Sequence, residues 1–241
     1  MGQILPKDFY EKKTEKVAQA LIGQILVRHL PSGEVLRSII TETEAYLGIS
    51  DKACHTYNGR KTERVSVMWG PAGNAYVYFI YGMYFCLNAV TRKEGEPEAV
   101  LIRGARPIED ETQRKLWANI EPDSRKWGLL MAGPGKLCRT LQIDKKLNGA
   151  PLDGNELWIE EGYKVHSKTI LKTPRIGIGY SEEAKDWPLR FVWNSGSLYE
   201  SLFQHHQNRR PNSSRQNAKD RQRPKGRNLS QAGVLQSTRI R

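Results

Sequence analysis

The segment Thr41-Glu42-Thr43-Glu44-Ala45-Tyr46 puts two carboxylates and a phenol at alternate positions. On an extended strand alternate residues share a face, so Glu42, Glu44 and Tyr46 point the same way. Like charges repel there. One reading is a solvated strand edge, where charge blocks aggregation. The other is a carboxylate placed as a general base, or as a stabiliser of a cationic transition state. A second group runs from Tyr76 through Val77, Tyr78, Phe79, Ile80, Tyr81, Gly82, Met83, Tyr84, Phe85, Cys86 and Leu87 to Asn88. Val77, Phe79, Ile80, Phe85 and Leu87 read as core. Tyr76 and Tyr78 share the opposite face, and buried tyrosine hydroxyls need partners. Aromatics near a turn can stack on planar bases or attract a delocalised cation. Asn88, in an apolar strand, needs a hydrogen-bonding role.

Three further features carry potential chemistry. His55 stands in a polar loop. Arg103 interrupts the apolar run Val100-Leu101-Ile102 and must pair with a carboxylate or face a cleft. Gly133-Pro134-Gly135-Lys136 is not a phosphate-binding P-loop, because Leu130 stands where the first glycine is needed. It reads as a helix N-terminus that could accept a phosphate oxygen.

The elements that position these residues follow from periodicity. Thr14 to Leu21 has helical spacing and Gly23 stops it. Gln24 to Leu30 and Val35 to Ala45 read as strands joined by the turn Pro31-Ser32-Gly33-Glu34. Ser50 to Gly73 is a long polar loop region, of a length that is often functional. Strands are expected at Ala75 to Tyr81, Tyr84 to Thr91 and Glu98 to Ala105. Helices are expected at Ile108 to Ala118, Asp123 to Met131 and Lys136 to Leu141. Late strands are expected at Leu157 to Ile159, Arg175 to Ile178 and Leu189 to Trp193. Without a βαβ rhythm, this is an α+β fold with a curved, mostly antiparallel β-sheet flanked by helices.

Composition bounds the function. The chain has 241 residues, 38 Lys+Arg against 26 Asp+Glu, and a net charge of +12. A hydrophobic fraction of 38% supports a core, while Gly 21 and Pro 12 exclude collagen-like and low-complexity chains. Cys54, Cys86 and Cys138 are too few and too scattered for a disulfide framework or a zinc ribbon, so no metal site is expected. The N-terminus has no secretory pattern. Position six is Pro6, which spoils a myristoylation motif. The longest apolar run, Ala75 to Val90, is short of the roughly 20 residues of a membrane helix. A protein of a reducing compartment follows: the cytoplasm and bacterial nucleoid, or the nucleus if the source is eukaryotic.

The charge is unevenly placed. After Phe203, residues 204–241 hold ten Lys+Arg and one acid, Asp220, which gives +9 and leaves +3 for residues 1–203. Such a segment cannot bury enough apolar surface to fold, so residues 204–241 are expected to be a disordered basic C-terminal tail. It suits a nonspecific arm for a polyanion.

Taken together, Glu42-Thr43-Glu44-Ala45-Tyr46-Leu47-Gly48, Ala53, His55 and the Tyr76–Asn88 run resemble the alkyladenine (3-methyladenine) DNA glycosylases of the mammalian AAG/MPG type. Leu101-Ile102-Arg103, Gly133-Pro134-Gly135-Lys136-Leu137-Cys138 and Leu189-Arg190-Phe191 fit the same pattern, in order, from about Leu21 to Val192. One loop departs: where the family commonly has Thr-Pro-Arg-Asn, this chain has Thr62-Glu63-Arg64-Val65.

The resemblance implies a single mixed glycosylase domain over residues 1–203 and assigns roles. Glu44 would be the general base that activates water. Tyr46, His55 and Tyr78 would wall the base pocket. Asn88 would crowd a purine 2-amino group, and Arg103 would stand in the cleft near the water. Tyr81 would intercalate where the flipped nucleotide left. Met83, Tyr84, Arg64 and Lys136 would contact DNA. The implied reaction is monofunctional hydrolysis of the N-glycosidic bond of 3-methyladenine, 7-methylguanine, hypoxanthine or ethenoadenine in double-stranded DNA, leaving an abasic site. No cofactor, no metal and no membrane is implied, and the protein would be a monomer. Two rivals stand beside it. A carbohydrate glycosidase would also use paired carboxylates, and Glu42 and Glu44 would lie about 6–7 Å apart on a strand. A noncatalytic nucleic-acid-binding module of the same fold would bind DNA without depending on Glu44.

Overall fold

Among the described residues, five α-helices and eight strands position the site. In a computed structural model the described residues are 2–194, apart from 109, 122 and 123. The strands are β1 Ile25–His29, β2 Val35–Tyr46, β3 Ala75–Ile80, β4 Tyr84–Thr91, β5 Glu98–Pro107, β6 Leu157–Glu160, β7 Ile170–Thr173 and β8 Arg190–Trp193. The helices are short: α1 Lys7–Tyr10, α2 Thr14–Ala20, α3 Glu111–Leu116, α4 Arg125–Leu129 and α5 Pro134–Thr140.

The strands form one mixed-length antiparallel sheet in the order β3-β4-β5-β2-β1-β6, with β8 against β2 and β7 against β8. The long strand β2 organises it. Its first half pairs with β1 and its second half, Glu42 to Glu44, with β8, while β5 runs along the other edge. Glu42 and Glu44 therefore lie in the middle of the sheet. They are 8% and 0% exposed, so the solvated-edge reading is wrong.

The β2–β5 ladder shifts register twice. Ile40 faces Ala105, Glu42 faces Gly104 and Thr43 faces Ile102. Thr41 is thus an extra residue on β2 and Arg103 an extra residue on β5. Two such bulges, one per strand, restore the ladder after a local kink, which sharpens twist and curls the sheet. Gly104 is needed at this point, since a Cβ there would sit 3.3 Å from the Glu42 side chain.

The two sheet faces differ. One carries Ala45, Val77, Leu87, Ala89, Val100 and Ile102 into the main core, which α2 and α5 help to cover. Thr43 ties that face to α2 by donating from Oγ1 to the Ala18 carbonyl at 2.8 Å. The other face carries a smaller apolar cluster of Cys54, Val65, Met68, Tyr76, Val90 and Ala99, with Tyr46 and Tyr78 against it. Residues 48–69 supply part of this cover through three 3₁₀ turns, Gly48–Ser50, Tyr57–Gly59 and Glu63–Trp69.

Most expected elements are present, with two corrections. Arg175 to Ile178 is not a strand. Pro174 precedes it and Gly177 has φ of +81°, so alternating Ile and Gly imitate a strand pattern without extended backbone. The strand is instead Ile170–Thr173. The helix expected over Ile108 to Ala118 forms only over Glu111–Leu116, where Asp110 caps it by accepting the Gln113 amide at 2.8 Å. Asp123 and the basic tail lie outside the described residues, as does the boundary at Phe203. No helix among the described residues is long and apolar enough to cross a membrane.

Candidate active site

The sheet register assembles the site. Arg190 stands opposite Glu44, Glu44 opposite Leu101, Leu101 opposite Asn88, and Asn88 opposite Tyr76. Directly opposed residues share a face. A buried carboxylate and an aromatic cluster are therefore set in one line across β8, β2, β5, β4 and β3.

The two carboxylates, Glu42 and Glu44, have different surroundings. Glu42 Oε1 accepts from Arg103 Nε at 2.8 Å and from Arg190 Nε at 2.6 Å. Burial opposes its ionisation, but the two guanidinium charges outweigh burial and hold the carboxyl below its ordinary range. Glu42 is a fixed anion. Glu44 Oε1 accepts the Ile176 amide at 2.8 Å and lies 3.4 Å from the Arg103 guanidinium. Its Oε2 accepts the Tyr46 hydroxyl at 2.9 Å. Burial, reinforced by the Glu44 charge, pushes the Tyr46 hydroxyl well above its ordinary pKa, so it stays a donor. Burial disfavours the Arg103 charge, and Glu44 and Glu42 more than restore it. A carboxylate oxygen has two lone pairs. Tyr46 uses one on Oε2, which leaves a second for a water proton.

Beside the carboxylates lies an aromatic group built by β3 and the His55 turn. The His55 and Tyr78 rings meet edge to face at 4.6 Å, and the Tyr76 and Tyr78 rings lie tilted by 31° at 5.3 Å. His55 Nδ1 bonds the Tyr76 hydroxyl at 2.9 Å. Burial, then the Arg64 and Arg60 charges, lower the His55 pKa to about 4, so the imidazole is neutral at pH 7. Burial raises the Tyr76 hydroxyl to about 12. Asn88 Nδ2 donates to the Tyr76 carbonyl at 3.0 Å and braces the pocket strand. Tyr76 had no site role in the sequence reading, although its shared face with Tyr78 was the available signal.

The rim is the β3–β4 hairpin tip. Tyr81 is 78% exposed and Met83 65%. Tyr81 and Gly82 have φ of +53° and +69°, and Met83 N donates to Ile80 O at 3.3 Å, which is a type I′ turn. Glycine is at home there. A tyrosine at positive φ is not, and the strain is of order 1–3 kcal/mol. Arg64 flanks the tip, donating to the Phe79 carbonyl at 3.1 Å with its guanidinium 5.5 Å from the Tyr78 ring. On the other flank Tyr84 packs against Gly135, where a Cβ would come within 2.8 Å of the ring. That close approach brings the first turn of α5, with Lys136, to the base of the hairpin.

The structure thus gathers Glu44, Tyr46 and Arg103 at one centre and His55, Tyr78 and Asn88 around Tyr76. It sets Tyr81, Met83, Tyr84, Arg64 and Lys136 along the hairpin. Sequence reasoning missed a clamp beneath this site. Arg175 and Asp51 form a wholly buried bidentate ion pair, with NH1 to Oδ2 at 2.5 Å and NH2 to Oδ1 at 2.9 Å. Arg190 was noted only as part of a motif. Among the described residues no cluster of three or more His, Cys, Asp or Glu could hold a metal ion.

A buried, arginine-bound carboxylate pair stands next to an aromatic cluster and an exposed aromatic tip. Comparison with known sequences is specific. Residues 8–197 match the methylpurine-DNA glycosylase (MPG) family, and the chain belongs to that family. It is 49% identical over 189 residues to a protein of Methanocella arvoryzae, covering 78% of this chain and 91% of the relative. It is 46% identical over 191 residues to proteins of Desulfitobacterium hafniense and Bdellovibrio bacteriovorus, covering 78% of this chain and 93% and 94% of theirs. All three relatives carry the provisional name 3-methyladenine DNA glycosylase.

Proposed function

We propose that this chain is a 3-methyladenine DNA glycosylase of base excision repair. It hydrolyses the N-glycosidic bond of alkylated or deaminated purines in double-stranded DNA and leaves an abasic site. The observation that carries this reading is the Glu44 carboxylate. It is fully buried, held by Arg103, Tyr46 and the Ile176 amide, and in register with the pocket strand.

The target base is hidden in the duplex, so the nucleotide must be flipped out at a cost of a few kcal/mol, least for damaged or mispaired bases. Tyr81, already projecting, fills the gap. The base enters between Tyr46, His55 and the Tyr76–Tyr78 pair. A cationic base such as 3-methyladenine gains about 0.5–2 kcal/mol from each well-placed ring. Hypoxanthine and ethenoadenine are neutral and rely more on shape. Glu44 takes a proton from the attacking water, and its charge offsets the oxocarbenium-like sugar as the bond breaks. Among the described residues, a guanidinium, a phenol and an amide touch Glu44. None of these can form a Schiff base, which supports simple hydrolysis. Asn88 bounds the pocket where a purine 2-amino group would reach.

The carbohydrate-glycosidase reading needs a second carboxylate free to act. Glu42 is instead bound to two arginines, and this favours DNA. The test is base release from duplexes carrying 3-methyladenine, 7-methylguanine, hypoxanthine or ethenoadenine, scored by alkaline cleavage at abasic sites. Release from at least one duplex is expected. No release from any of them, with intact DNA binding, would leave the noncatalytic binding module as the better reading.

A further inference from the structure

We infer that Asp51 and Arg175 form a positioning clamp that sets the geometry of Glu44 and Tyr46 for the reaction proposed above. The inference rests on that reading.

Most arms of the clamp end on segments that carry site residues. Arg175 NH1 donates to the Ala45 carbonyl at 2.9 Å, the peptide between Glu44 and Tyr46 in sequence. The guanidinium carbon lies 4.7 Å from the centre of the Tyr46 ring, covering one face of it. NH2 donates to the Ala184 carbonyl at 3.2 Å, which fixes the segment after the loop. The next residue, Ile176, gives its amide to Glu44. Asp51 reaches the other way. Its Oδ2 accepts the Leu47 amide and its Oδ1 the Ala53 amide, both at 3.0 Å, so it holds the turn that leads to His55.

The clamp therefore joins the end of β2, the His55 turn and the loop after β7. The loop after β7 lies 124 to 130 residues from the other two segments, and it has no strand pairing of its own at Arg175 and Ile176. Arg175 Nε is buried without a partner among the described residues. The guanidinium thus gives up one hydrogen bond while covering the Tyr46 ring and holding Asp51. A guanidinium has the planar fork to do this, and an ammonium does not. A small displacement of a reacting group can cost about 100-fold in rate, so a clamp of this kind acts on chemistry more than on DNA binding. The hairpin tip that meets DNA belongs to β3 and β4, which the clamp does not touch.

The test compares wild-type protein with Arg175→Lys and with the double variant Asp51→Asn/Arg175→Gln. Arg175→Ala is avoided because it leaves a buried carboxylate unpaired. Melting temperature, affinity for an abasic-site duplex and single-turnover release of hypoxanthine are measured together. Folded variants should bind the abasic duplex as wild type does and release base about 100-fold more slowly, with Arg175→Lys the less affected of the two. A wild-type release rate in either folded variant overturns the clamp. So does a loss of rate matched by an equal loss of affinity, because that pattern marks a general structural role. If wild-type protein releases no base from any lesion, the glycosylase reading fails first and the clamp fails with it.

Discussion

The floor and the rim of the site are built on opposite terms. The floor, Glu42, Glu44, Arg103 and Arg190, is buried in the centre of the sheet, and each charge there has an opposite charge against it. The rim, Tyr81 and Met83, is exposed on a three-residue hairpin loop, with Tyr81 held at positive φ. In the floor, low dielectric strengthens electrostatic contacts and fixes them before substrate arrives. At the rim, an exposed side chain awaits a partner that comes with the substrate. On the proposed function, the difference assigns rate and affinity to separate elements, β2 and β5 for one, β3 and β4 for the other.

Substitutions can break that division. The largest expected effect is at the floor. Glu44→Gln should lower single-turnover base release by about 10²–10⁴-fold with DNA affinity retained. Full activity in Glu44→Gln would overturn its assignment as the base. Next, Glu42→Gln removes the anion between Arg103 and Arg190 and should destabilise the fold by about 3–5 kcal/mol, read as a fall in melting temperature and urea midpoint. At the rim, Tyr81→Gly should cost about 1–3 kcal/mol of lesion-duplex affinity through lost stacking. It should leave the melting temperature no lower, since glycine suits the positive φ.

The smallest effect is a pH dependence at the join. His55 is neutral when folded, with a pKa of about 4 against 6.5 unfolded. Between those values the unfolded chain binds the extra proton, so stability should fall as pH drops from 6.5 towards 4. A His55→Phe variant should flatten that limb in urea titrations. An unchanged limb would place its origin elsewhere.

Much of this was legible in the sequence because the signals were local. Alternation placed Glu42, Glu44 and Tyr46 on one face, and Tyr76 with Tyr78 on another strand. The structure keeps both sets, since period-2 geometry survives wherever a strand stays in register. Non-local features were hidden. Nothing near Glu42 in sequence announces Arg190, and nothing near Asp51 announces Arg175. The paired bulges at Thr41 and Arg103 also leave no mark on composition, because each is defined only against the opposite strand. The Ile176-Gly177-Ile178-Gly179 stretch misled in the other direction. Its alternation is real, but glycine at positive φ turns the chain away from a ladder and frees the Ile176 amide for Glu44.

The pairing of β2 with β8 has a consequence for how the molecule comes into being. Arg190 and Glu42 are 148 residues apart, and their contact closes about three quarters of the described chain. Bringing such distant segments together carries a loop-closure cost that local hairpins avoid, so this pairing belongs to the late stages of assembly. A growing chain on the ribosome can form β1–β2 and β3–β4–β5 while Glu42 still lacks half of its counter-charge. The site is completed by β8, the last strand among the described residues, so products truncated before it should lack the finished floor.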